Sequence, residues 1–114
     1  MLIVGRRFYE GCRVVVLTAE LRCINLPPRL DLYNHSPTGF EWGYGGSGPA
    51  QLALAMLAYS LADDARAVRL HQSYKWRVVS QIKDEVWTIP TVDVRQVAAW
   101  LEENVPHMKG AEHD

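Results

Sequence analysis

Long apolar runs, paired cysteines and an excess of charge of either sign are all missing from this 114-residue chain. The longest apolar stretch, Ala50 to Leu61, is too short to span a bilayer, so no membrane is expected as a partner. Cys12 and Cys23 have neither CxxC spacing nor a nearby pair of histidines. They read as reduced, core-filling residues, with little weight on a disulfide, a zinc site or thiol chemistry. No metal and no cofactor is expected. A net charge of -1 gives no global attraction to nucleic acid, so any basic patch must be local. The opening Met1-Leu2-Ile3-Val4-Gly5-Arg6-Arg7 is too short for a signal peptide, and its charges follow the apolar run. A cytoplasmic location is therefore expected. Neither an internal repeat nor a second domain is visible.

What is present is globular: 48% of the residues are hydrophobic and 22% charged, in a chain long enough to bury a core. The first third reads as strands. Leu2 to Tyr9 is followed by a Glu10-Gly11 turn, then by Arg13 to Leu17 with its run of valines. Leu21 to Leu26, ended by Pro27-Pro28, completes a two- or three-stranded antiparallel meander.

Arg29 to Gly48 is long and irregular, with Phe40, Trp42 and Tyr44 set among several glycines. A flexible linker lacks large aromatics, so this pattern predicts an ordered loop, and such loops are usually functional. The first helix is expected from Pro49, with Gln51 reaching back to its cap. From Leu52 to Leu61 nearly every face is apolar, which marks a helix buried on most sides. Asp63 and Asp64 close it and cap a second helix over Ala65 to Ile82. The apolar arc of that helix holds Ala67, Val68, Leu70, Tyr74 and Val78, with His71 and Lys75 inside it. The pattern weakens after Trp76, so Arg77 to Ile82 reads as either helix or strand. Val86 to Ile89 is a short strand. Thr91 is expected to cap a third helix whose buried stripe is Val94, Val97, Ala98 and Leu101. The whole is an α+β domain over residues 1–106, an N-terminal antiparallel meander packed on a buried central helix with two further helices. A flexible tail is expected at 107–114.

Chemistry has four candidate seats. Gly45, Gly46, Ser47 and Gly48 open onto a helix, where successive amides can cradle an anion. The spacing is neither a dinucleotide fingerprint nor a phosphate-loop motif, since no Lys follows the last glycine, and close packing explains it as well. His35, Ser36, Glu41 and Ser47 are near in sequence only; turn chemistry and an Arg partner for Glu41 explain them better. His71 and Lys75 stand one helical turn apart on an inward face. A buried Lys needs a carboxylate, a carbonyl or an anion, and Glu41 or a carbonyl of the Gly-rich loop would serve. Finally, Trp76 lies among Arg66, Arg69 and Arg77, a composition found in binding hot spots and on base-stacking surfaces.

The stretch from His35 to Ala55, HSPTGFEWGYGGSGPAQLALA, resembles the signature of a family catalogued as a domain of unknown function in bacteria, plasmids and phages. Gln72-Ser73-Tyr74-Lys75-Trp76, Val78-Val79 and Trp87 are similar to its second motif, with Tyr74 where Phe is commoner. The Tyr9-Glu10-Gly11 turn also fits. The resemblance implies no activity, cofactor or catalytic residue. By analogy it implies an accessory or anti-defence factor of a mobile element.

The leading expectation is a non-enzymatic protein whose partner is another protein, bound through Trp42 and Tyr44 or through the Arg66, Arg69, Trp76 and Arg77 face. The alternative is a phosphate- or nucleotide-binding protein or an enzyme, its site built from Gly45 to Gly48 with His71 and Lys75. Nucleic-acid binding through the Arg/Trp face ranks last. No feature of the sequence sets an oligomeric state.

Overall fold

The valine-rich run and its neighbours form strands in the computed structural model, which describes residues 1–105. β1 (Leu2–Phe8) and β2 (Gly11–Leu17) make a hairpin in which Phe8 pairs with Gly11. β3 (Cys23–Asn25) is shorter than expected and pairs antiparallel with β2. β4 (Val86–Pro90) returns from the far end of the chain to pair antiparallel with β1. The sheet therefore has four strands in the order β3-β2-β1-β4. Its period of two decides the faces. Ile3, Val14 and Val16 are buried, while Val4, Val15 and Leu17 beside them are half-buried.

Three helices complete the α+β fold: α1 (Ser47–Leu61), α2 (Asp64–Arg77) and α3 (Thr91–Asn104). Every residue of α1 from Leu52 to Leu57 has no exposed surface. Alanines between the leucines let neighbouring elements approach from several sides. One core cluster joins Ile3 and Val16 of the sheet, Leu54 and Met56 of α1, Leu70 of α2 and Val94 of α3. A fully buried Leu of this kind contributes roughly 1.5–3 kcal/mol.

The helix ends correct several expectations. α1 starts at Ser47 with Gly46 as its cap residue, so Pro49 is the third helical position rather than the first. Any first-turn position tolerates Pro, because those N–H groups lack helical acceptors. Asp63 does cap α2, its side chain accepting from Arg66 N–H at 3.2 Å. Val68, placed in the buried arc, is exposed. Beyond Arg77 the chain forms neither more α-helix nor a strand but a 3₁₀ turn, Val79–Gln81. Ser80 Oγ donates to the Trp76 carbonyl, and Gly43 N–H takes the Val79 carbonyl, so loop and side chain occupy this helix end. Thr91 makes no side-chain cap; its backbone N–H donates to the Met1 carbonyl and ties α3 to β1.

Among the described residues no helix is long and apolar enough to cross a membrane. The domain limit at 106 and the tail at 107–114 lie outside the described residues.

Candidate functional site: a loop held by glycines and rings

The 26–46 segment wraps α1, and its first half is held by one buried amide. The expected capping role of Gln51 is not what the structure shows. Gln51 has no exposed surface, and its Oε1 accepts from His35 N–H at 2.7 Å and Ser36 N–H at 3.1 Å. Its Nε2 donates to the carbonyls of Pro28 at 2.7 Å and Tyr33 at 3.0 Å. All four hydrogen-bonding positions of the amide are used, which is what a buried Gln requires.

His71 finishes the same clasp. Its Nδ1 lies 2.6 Å from the Val68 carbonyl, and a carbonyl only accepts, so Nδ1 carries the proton. His71 Nε2 is then free to accept from His35 Nε2–H at 2.9 Å. Tyr33 stacks on His35 with centroids 4.1 Å apart. Burial lowers the pKa of both histidines, and the Lys75 charge lowers them further. The pair is therefore neutral at neutral pH.

Arg7, which sequence reasoning did not single out, fastens the middle of the loop to the sheet. Its guanidinium donates to Glu41 Oε1 at 2.7 Å and to the Trp42 carbonyl at 3.2 Å, and lies 4.7 Å from the Trp42 ring centroid. Glu41 is thus an Arg partner, one of the two roles expected for it, and not the partner of Lys75. Burial pushes the Glu41 carboxyl upward, but the Arg7 bond and lesser ones outweigh it and leave it below its ordinary value. Trp42 is 1% exposed, meets Trp87 edge-on, and donates its indole N–H to the Asp84 carbonyl. It is core.

In the second half of the loop steric fit joins hydrogen bonding. Gly43 has φ +91°, and a Cβ there would also press on the Ile82 carbonyl. A Cβ at Gly45 would overlap the Trp76 ring, and one at Gly46 would overlap the Tyr44 ring. Gly45 and Gly46 are each a seat for an aromatic ring. Gly48 is buried against Glu41, and Ser47 begins α1 exposed. Lys75, 7% exposed, donates to the Gly45 carbonyl at 3.2 Å, with its ammonium 4.5 Å from the Trp76 ring centroid. Of the partners expected for it, the loop carbonyl is the one it takes. Tyr44 and Trp76 remain 53% and 58% exposed.

The arginines split away from this pair. Arg66 is bidentate to Glu102 of α3 at 3.0 and 2.7 Å, and Arg69 reaches the same carboxylate at 3.2 Å. The Arg77 guanidinium stacks 4.0 Å over Trp100. The expected Arg/Trp face thus faces α3 through its arginines. Tyr44 also lines an open cavity of about 400 Å³, together with Glu10, Cys12, Ser36, Glu41 and Ser47 among others. Burial and the neighbouring carboxylate push the Cys12 thiol up to about 11, so it is unreactive at neutral pH.

The chain matches the model of a family of unknown function, DUF6166, over residues 3–103. It belongs to that family. No curated protein and no solved structure matches it. The family match spans β2, β3 and β4 and all but one residue each of β1 and α3, so the Gly-rich loop and its ring seats lie inside the matched region.

Proposed function

We propose that this member of the family is a non-enzymatic binding protein that recognises another protein through Tyr44 and Trp76. The observation that carries the reading is that both rings stay half exposed while seated on glycines that leave no room for a Cβ. Large aromatics held rigid and outward lose little freedom on binding and are the usual anchors of protein interfaces. Lys75 under Trp76 adds a fixed positive charge beside the anchor. The resemblance to proteins of bacteria, plasmids and phages supports an accessory role against a host or defence component, exercised in the cytoplasm.

The phosphate-site alternative has less support. Lys75 meets a carbonyl of the loop rather than its amides, and carboxylates line the cavity at the start of α1. Nucleic-acid binding has less still, because Glu102 already holds Arg66 and Arg69.

The test is native mass spectrometry of tagged protein drawn gently from its own host, beside the Tyr44→Ala/Trp76→Ala double variant. The expected result is a co-purifying protein that the double variant loses while its circular dichroism stays unchanged. Retention of the same partner by the variant would overturn the reading.

A further inference from the structure

We infer that the helix-free face of the sheet is a second docking surface, built for a partner protein that sets carboxylates beside an apolar segment. Strand alternation turns Ile3, Val14 and Val16 toward the helices and leaves the other set of residues outward. At one end of that outer face Leu2 pairs with Leu17 and Val4 with Val15, giving an apolar strip across the hairpin. At the other end Arg6 stands directly opposite Arg13, and Val86 of β4 lies opposite Arg6 from the other side.

Like charges directly opposed across two strands destabilise a sheet. Nothing on the face offsets them: among the described residues neither Arg6 nor Arg13 is in a salt bridge, and no Asp or Glu belongs to its outward positions. Arg6 instead rests over the Phe8 ring at 4.9 Å. Two guanidinium forks beside an apolar strip are complementary to carboxylates flanking an apolar anchor.

Other occupants fit less well. A second copy would bring two more arginines and no carboxylate, burying charge without a partner. Nucleic acid would use the arginines but leave the apolar strip uncovered. Extension of the sheet at its edges is also disfavoured. β3 is three residues long, and β4 ends on Pro90, which has no N–H to donate. The occupant therefore lies on the face.

A peptide-display library panned against the whole protein supplies the probe, and the selected peptide is then titrated by NMR into the protein and into Arg6→Glu/Arg13→Glu. The expected peptides carry Asp or Glu beside apolar residues, shift amides of β1, β2 and β4, and bind the double variant at least tenfold more weakly. Arg6→Gln/Arg13→Gln, which removes charge without reversing it, gives the same direction should the Glu variant fold poorly. Peptides without acidic bias, shifts on another face, or unchanged affinity for both variants would overturn the proposal. So would a dimer in sedimentation that either double variant abolishes, since the face would then belong to a second copy.

Discussion

The two halves of the long loop are held to the same helices by different physics. From Pro28 to Ser36 the loop is tied by directional bonds, the four of Gln51 and the His35–His71 contact, and its polar groups are consumed inside. From Gly43 to Gly48 two bonds, Gly43 N–H to the Val79 carbonyl and Lys75 to the Gly45 carbonyl, are joined by close approach, with rings lying where side chains at Gly45 and Gly46 would otherwise be. The first half leaves a single ring outside, Tyr33, stacked on His35 and 54% exposed. The second leaves two rings outside, Tyr44 and Trp76, with the Lys75 ammonium beside Trp76, and that pair is the proposed recognition surface.

The sharpest way to break the first half is Gln51→Leu. Two backbone N–H groups and two carbonyls would lose their partner inside the protein. The expected loss is about 3–5 kcal/mol, read from urea unfolding, since each buried unsatisfied group costs roughly 1–3 kcal/mol and some will rehydrate. Gly45→Ala tests the second half. The overlap is with the outer edge of an exposed ring, so Trp76 should swing away. A loss of about 1 kcal/mol, at the low end for overpacking, should accompany a clear change in tryptophan fluorescence. An unchanged emission spectrum would show that the seat is not needed.

Removing the carboxylate between α2 and α3, by Glu102→Gln, should cost about 1 kcal/mol and release Arg66 and Arg69. If protein binding weakened as much as in Trp76→Ala, the arginine face would share the recognition now assigned to the loop. Acid is a gentler probe of the first half. Both histidines have folded pKa values below the ordinary 6.5, so between those values and about 6.5 the unfolded chain binds more protons. Stability should be level above that pH and fall as the pH drops below it, and His71→Phe should flatten the slope. The smallest expected effect is Trp76→Ala on stability, within about 0.5 kcal/mol for an exposed side chain. Its effect on partner binding should nevertheless be large.

Much of this could be read in advance because the signals were local. The valine run of β2, the apolar helix after the glycines, and the stripe of Val94, Ala98 and Leu101 each announce their element by periodicity. The glycine–aromatic mixture drew attention to the segment where rings pack on glycines, and Lys75 takes the loop carbonyl named for it as one partner. Gln51 was misplaced because an amide near a helix start has a plausible local use at the cap. Its actual partners lie 15 to 23 residues away.

Sequence alone therefore determined the α+β class, the helices and most strands, since backbone preference and apolar spacing act within a few residues. Tertiary structure decided that β4 pairs with β1, that Arg7 holds Glu41, and that one carboxylate of α3 engages two arginines of α2. It also decided which aromatics stay outside: Trp42 is core, while Tyr44 and Trp76 rest on glycines. The reason is physical. A polar group takes whichever partner the folded chain brings within about 3 Å, and a ring is exposed or buried by what packs on its other side.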